Sequence, residues 1–303
     1  MDGLINIYKE KGFTSHDVVA KMRGILHMKK IGHTGTLDPD AEGVLPVCVG
    51  KGTKLCSLLE NHDKTYRAVL LLGMETDTQD VSGQIIARKP VTVSKEQVLS
   101  ALQPFQGEIL QVPPMYSALK VNGKKLYEYA REGKTVERKA RPVTIYELTA
   151  EKIELPRVTL KVNCSKGTYI RTLCHDIGRA LGCGGCMETL VRIRVGNFYL
   201  EDAISLKELE EKRDRDELNT CLVTVEEVFL ELPAVRTRKS YDRLLHNGNR
   251  IDRTMLEEKG GEVSSIGENE KKQVRMYDSS GAFVGVYEWD FVKNDYKPLK
   301  MFF

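Results

Sequence analysis

No apolar run in this 303-residue chain approaches the ~18 residues needed to span a bilayer; the longest, AVLLLGM at 68–74, has the length of a strand. The opening MDGLINIYKEKG lacks a basic region followed by an apolar stretch, so no signal peptide is read there and a cytoplasmic location is expected. Cysteines are few and odd in number. Seven, at 48, 56, 164, 174, 183, 186 and 221, fit reduced thiols better than a disulfide framework. Cys183-Gly-Gly-Cys186 has the spacing of half a zinc site, but no second CxxC or HxxxH follows to complete one. Small residues in a helix-ending turn are the simpler reading. The chain also lacks the GxxxxGK[ST] of a P-loop and the GxSxG elbow of a serine hydrolase. Asp38/Asp40 and Asp77/Asp80 are the carboxylate pairs that magnesium chemistry would need.

Charge of one sign is also scarce overall, at a net +3, but its distribution is uneven. Residues 120–141, KVNGKKLYEYAREGKTVERKAR, carry eight Lys/Arg against three Glu. Residues 234–250 carry five bases against one acid, and 201–217 between them carry eight acids against four bases. Local basic surfaces of this kind suit a protein that grips a polyanion at defined places, and ordinary solvated faces would look the same.

What is present reads as an α+β chain. GLINIY is an opening strand; Thr14 or Ser15 caps a helix with Val18, Met22, Ile25 and Leu26 on its apolar face. TYRAVLLLGM and GQIIARK read as strands joined by the turn-rich ETDTQDVSG. Ser94 to Gln97 and Ser205 to Glu208 are capping boxes for two further helices. VTIYELTAEKI, RVTLKVNC and RIRVGNFYL are strands, and a helix is expected from about Thr168 to Leu181, stopped by Gly182. From about 234, short strands and Gly-rich turns predict a small, mostly β unit. Strands and helices alternate without a strict βαβ beat, which favours α+β over a doubly wound sheet.

The stretch GHTGTLDPDAEGVLPVCVGKGTK, residues 32–54, poses the functional question. Its glycines, threonines and flanking lysines suggest an anion cradle, yet Asp38 sits in the middle. Asp38 precedes Pro39, which holds it in an extended or turn conformation, so an Asx-turn role is the plain alternative. Arg171 is the second odd residue. It falls in the first turn of its helix, where the macrodipole disfavours a cation, so a carboxylate elsewhere should hold it. Pairing it with Asp38 would keep the acid ionised and oriented. Tyr66 and Tyr169 are more often core residues, but an aromatic face beside a carboxylate is how an extruded base would be gripped. His33 is read first as a brace for the loop.

These residues fall within four motifs that resemble those of the TruB family of tRNA pseudouridine-55 synthases. GHTGTLDPDAEGVLPVCVGKGTK is similar to its GHxGxLDPxAxGxLPxxxGxxTK, and KTYRAVLLLGMETDTQDVSG to its K-x-Y…G-x-x-TDTxDxxG. QVPPMYSALKVNGKKLYEYAREG resembles QxPPxYSAxKxxGxxxYexARxG, and CSKGTYIRTLCHDIG resembles CSxGTYIRxLxxDlG. Together the four span most of residues 1–200; beyond about 230 a looser likeness to a PUA-type domain remains.

The resemblance implies a mixed, mainly antiparallel central sheet flanked by helices in a catalytic domain over 1–230, and a PUA-like RNA-binding domain over 231–303. It implies that Asp38 is the catalytic aspartate, Arg171 its partner and Tyr66 the tyrosine stacked on the target base. His33, Tyr169 and Leu190 would line the uridine pocket, with Lys9 beside them. Lys64 and the clamping loop 120–141, through Lys120, Lys124, Lys125 and Arg131, would meet the RNA backbone. The family uses no cofactor or metal. The implied partner is the T-arm of tRNA, with no membrane, no obligate protein partner and a monomeric chain. The implied reaction flips the uridine out, breaks N1–C1′, turns the uracil and rejoins it through C5. Attack of Asp38 on C1′, attack on C6 and a glycal route all remain open.

Three features depart from the family pattern. Tyr8 and Glu10 stand where DKPxGxTS has Asp and Pro, Val191 separates Leu190 from Arg192 where a pair of arginines is usual, and Cys183 and Cys186 replace small turn residues. Two rival readings are a non-catalytic RNA-binding protein or chaperone, and a relative acting in a guide-RNA complex. The intact Asp38, Tyr66 and Arg171 speak against the first, and the absence of lysine-rich extensions against the second.

Overall fold

The computed structural model describes residues 1–257 and 273–302; part of the expected C-terminal domain, 258–272 and 303, lies outside them. The chain lays down β1 (Gly3–Lys9), α1 (Ser15–Leu26), β2 (Ile31–His33), β3 (Glu42–Val49), α2 (Cys56–Leu59) and β4 (Lys64–Leu72). A small hairpin of β5 (Met74–Thr76) and β6 (Ile85–Arg88) leads to α3 (Lys95–Leu102) and β7 (Gly107–Gln111). A second hairpin, β8 (Lys120–Val121) and β9 (Lys124–Lys125), runs into α4 (Leu126–Arg131). Then come β10 (Arg141–Glu154), β11 (Arg157–Cys164), α5 (Ile170–Ala180), β12 (Gly185–Val195) and β13 (Phe198–Tyr199). The remainder is α6 (Leu206–Asp214), β14 (Leu222–Thr224), β15 (Ala234–Arg236), α7 (Asp242–His246), β16 (Gln273–Tyr277), β17 (Phe283–Asp290) and β18 (Asp295–Met301).

Among the described residues the main sheet has ten strands, in the order β14-β1-β3-β12-β4-β11-β10-β7, with β13 paired to β12 and β2 to β3. Its pairings are antiparallel except that of β3 with β12. Helices α3 and α5 close one core over β4, β10 and β11, through Val98, Leu102, Leu173 and Ile177. Helices α1 and α6 close another over β1 and β3, through Val18, Met22 and Leu209. The smaller sheet β15-β16-β17-β18 has its own core around Tyr287, Trp289 and Tyr296. Phe229, Phe283 and Phe302 join it to Leu4, Cys48 and Leu55 of the main unit. None of the described helices is long and apolar enough to cross a membrane.

The capping signals correspond to real helix starts. The side chains of Thr14, Ser94 and Ser205 each accept from the backbone amide three residues on, and their own amides donate to the side chain there. Three other expectations are corrected. Residues 42–49, read as part of a glycine-rich loop, form β3; all but the first residue are buried, and a strand covered on both faces shows no alternation. The strand read through TYRAVLLLGM stops at Leu72, because Gly73 turns with φ +88° and Met74–Thr76 pair away from the sheet with β6. The strand read as RIRVGNFYL begins earlier, at Gly185, and breaks at Gly196 before β13.

One glycine fixes the strand order beside the site. Gly43 has φ +107°, and a Cβ there would lie 2.2 Å from the carbonyl oxygen of Arg192, where β3 runs parallel to β12. Gly43→Ala should therefore lower stability by about 3 kcal/mol, combining backbone strain with overpacking, seen as a lower urea midpoint at an unchanged slope.

Candidate active site

The site is built from the two ends of the sequence pattern that raised it. Arg171 is the second residue of α5, whose N-cap is Tyr169, and its side chain is buried. Nε lies 2.9 Å from Asp38 Oδ2, and Nη1 lies 3.6 Å from Asp80 Oδ2. Nη1 also donates to the Thr78 carbonyl at 3.1 Å, and Nη2 to the Tyr116 carbonyl at 2.9 Å. The guanidinium thus binds three separate loops into one plane. Asp80 spends its other oxygen on Thr78 and Ser82 hydroxyls and the Ser82 amide, while Asp77 accepts from the Gln84 amide, so the loop's own hydrogen bonds occupy both acids.

Asp38 is held from behind. The Pro39 carbonyl accepts from the Gly12 amide at 2.9 Å and from the Lys9 ammonium at 3.1 Å, and the Leu37 amide donates to Ser15 Oγ at 2.9 Å. The turn that follows β1 and the start of α1 therefore fix the loop. The carboxylate itself is 43 % exposed, because it faces an open cleft. Burial pushes its titration above the ordinary value of 3.8; Arg171 opposes this, Asp80 reinforces it and Lys9 opposes it. Arg171 thus favours the ionised acid, as the pairing leads one to expect, but desolvation outweighs it in the net shift.

The cleft is a cavity of about 620 Å³, lined by loop 35–38, by Tyr66, Leu190 and Arg192 on the sheet, by 117–119 and 141–143, and by 165–171. Tyr66 on β4 is 9 % exposed and pairs across the sheet with Arg192 of β12 and Val162 of β11. Leu190 is buried two residues before Arg192 on the same strand face. Tyr169 is fixed through its backbone, since Gln111 Nε2 donates to its carbonyl at 3.0 Å and Gln111 Oε1 accepts from its amide at 2.7 Å.

Not every expected residue faces the cavity. His33 lies on β2 and accepts from the Gly35 amide at Nδ1, 3.3 Å, with its ring edge-on to His16. Lys9 is fully buried and absent from the cavity wall; burial pushes its amine down to about 8. Lys64 lines the cavity, but its ammonium donates to the Glu60 and His62 carbonyls, and burial pushes it also to about 8. Lys120 and Arg131 are exposed, and Lys125 lies over the Tyr127 ring. Lys124 pairs with Glu132. This basic hairpin sits at the cavity rim, because the Leu126 and Tyr127 amides donate to the carbonyls of Leu119 and Ser117. Gln111 had no role in the sequence reading of the site; Asp80 entered it only as half of a carboxylate pair suited to magnesium, and Arg192 only as what remains of the family's arginine pair. No local signal marked Arg192 as buried, since the inward phase of its strand is set by pairing with β4.

A carboxylate clamped by a buried arginine at the head of a cleft with an aromatic floor meets the needs of chemistry on an extruded nucleoside. The fold agrees with that class of enzyme. The structure of a Cbf5–Nop10–Gar1 complex matches with a TM-score of 0.72 at 28% identity, covering 99% of this chain and 85% of that one. The structure of an H/ACA ribonucleoprotein bound to a substrate RNA containing 2′-deoxyuridine matches equally, at 0.72 and 25% identity over the same shares.

The chain belongs to the TruB family of pseudouridylate synthases. The model of that family's N-terminal domain matches residues 23–170, and that of a tRNA pseudouridylate synthase B C-terminal domain matches 171–230. A tRNA pseudouridine synthase B of Lachnoclostridium phytofermentans is 50% identical over the whole of both chains. Others so named are 47% identical in Alkaliphilus oremlandii, over 83% of each chain, and 44% in Clostridium novyi, over 94% of this chain and 95% of that one. The chain is accordingly a pseudouridine synthase.

Proposed function

We propose that this enzyme converts uridine 55 in the T-loop of tRNA to pseudouridine, with Asp38 acting on the target nucleoside, Arg171 orienting Asp38, and Tyr66, Tyr169 and Leu190 enclosing the flipped base. One observation carries the reading: the 2.9 Å Asp38–Arg171 pair opens onto a 620 Å³ cavity floored by Tyr66, in a chain of this family. A carboxylate can attack or stabilise the sugar or base without carrying either away, and a cleft closed by RNA keeps water from the freed uracil. Lys9 acts here as a positioning residue for the Asp38 loop through the Pro39 carbonyl. Residues 1–230 are proposed as the catalytic domain, and the β-rich remainder, 231–303, as a PUA-like RNA-binding domain. The enzyme is proposed to act as a monomer in the cytoplasm without a guide RNA, a reading supported by full-length agreement with relatives named for tRNA.

The test is to incubate an unmodified tRNA transcript with the chain alone and map pseudouridine by carbodiimide labelling. A single modified site at position 55 is expected; no modification, or modification only with a guide RNA, would contradict the reading. The basic hairpin yields a second expectation. Lys120→Ala should reduce the salt slope of hairpin RNA binding by about 1, the loss of one phosphate contact. Lys124→Ala should change it less, since Glu132 already neutralises that ammonium. Filter binding across a salt series reads both.

A further inference from the structure

Arg192 is a buried cation without an acid. It is 1 % exposed; Nε donates to the Val44 carbonyl at 2.7 Å and Nη2 to the Gly35 carbonyl at 3.1 Å. Among the described residues, no carboxylate forms an ion pair with it, and the group that favours its charge is Tyr66. The two are directly opposed cross-strand partners on β12 and β4 and both line the cavity, which sets the phenol and the guanidinium side by side. Lys64, also buried, stands close by and repels it. The cleft therefore has two unlike ends. Asp38, Arg171 and Asp80 together carry one negative charge, while at the end around Tyr66 the acids Glu60 and Asp63 act on Lys64 and none pairs with Arg192. A desolvated cation left unpaired at rest is costly, which makes sense if an anion forms against it during the reaction.

Resting on the pseudouridine-synthase reading of this cavity, we propose that Arg192 is a positioning residue that holds the Tyr66 oxygen as a proton relay and stabilises it as phenolate between two transfers. Cleavage of N1–C1′ leaves an electron pair on N1, and the Tyr66 phenol gives N1 its proton. The resulting phenolate faces Arg192. The uracil turns and the C5–C1′ bond forms, so that C5 carries both the sugar and its original hydrogen. The C5–H bond then breaks; its electron pair restores C5=C6, and its proton returns to the phenolate. The phenol is regenerated and no proton is gained or lost overall. Burial pushes the Tyr66 hydroxyl's titration up, with Arg192 acting against it, so the resting side chain is the phenol. Residues that only braced β3 against β12 would not need a charge, and methionine would fill the space.

The experiment is single-turnover isomerisation of a T-arm hairpin carrying hydrogen or deuterium at C5 of the target uridine. Arg192→Gln should slow the reaction on the order of 10²-fold and Arg192→Lys about tenfold, with hairpin affinity unchanged. In both, the deuterium effect should rise above that of the parent, because C5–H cleavage becomes slower. In a Tyr66→Phe background, Arg192→Gln should add no further loss. A slowed reaction with an unchanged isotope effect, or a full additional loss in the Phe background, would overturn the proposal. Thermal unfolding is followed in parallel. If neither arginine variant folds, 3-fluorotyrosine at position 66 keeps the test, since Arg192 stays in place: a more acidic phenol must change the rate and the isotope effect together, and no change would overturn the relay. A parent enzyme that makes no pseudouridine at all would overturn the functional reading beneath it, and this proposal with it.

Discussion

Asp38→Asn is expected to slow isomerisation by at least about 10³-fold while leaving hairpin affinity within a few fold, because a group acting on the reacting atoms contributes at the transition state and not in binding. The variant should also keep its fold. Burial raises the Asp38 titration above 3.8, so ionising this carboxyl costs more in the folded than in the unfolded chain and weakens the fold at neutral pH. In the window between the unfolded and folded values, the native state binds more protons. Stability from this group accordingly falls as pH rises through that window. The neutral amide introduced by Asp38→Asn removes the penalty and still offers an oxygen to Arg171, so the unfolding midpoint at neutral pH should equal or exceed that of the parent. Activity runs the other way. It needs the carboxylate, so the acid limb of the single-turnover rate should lie above pH 3.8 and move higher when RNA fills the cleft and excludes water. A destabilised Asp38→Asn variant, or an acid limb at or below the ordinary aspartate value, would contradict this account of the site.

Arg171→Met should combine loss of activity with loss of stability, on the order of 10³-fold and about 3 kcal/mol. The guanidinium satisfies the Thr78 and Tyr116 carbonyls as well as two carboxylates, and a methionine satisfies none of them. Asp38 is partly open to water, so most of the stability loss arises at the two carbonyls and at Asp80. With the cation gone, Asp80 and burial act unopposed by their main counterweight, and the acid limb of any residual activity should move further up. Arg171→Lys should recover little, because one ammonium cannot reach four acceptors on three loops. Denaturant melts and single-turnover rates on the same preparations separate the two effects.

The parts of this molecule that could be read from sequence are those set by local rules. Thr14, Ser94 and Ser205 announce helices α1, α3 and α6 because a cap needs only a few residues to be recognised. The Asp38–Arg171 contact could be anticipated because a cation in the first turn of a helix requires a partner, and Asp38 stood out in its loop. β3 could not, since a strand buried on both faces has no alternation and Gly43 and Pro46 disguise it. Asp80 was also hidden; it meets Arg171 only because Gly73 turns the chain out of the sheet into the β5–β6 hairpin. Lys9 was assigned to substrate, and the structure turns its ammonium into the protein to hold Pro39. Arg192 shows the limit of charge patterns, which assume that arginine faces water. Its inward position follows from the phase of β12, and that phase is defined only by pairing with β4.

The central claim is that Asp38 drives isomerisation at C5 of a T-arm uridine. Tritium release from a T-arm hairpin labelled at that carbon, compared between the parent and Asp38→Asn, tests it most directly. The account predicts stoichiometric release by the parent and none above background by the variant under the same conditions. Release by both, or a parent that binds the hairpin and releases nothing, would contradict it.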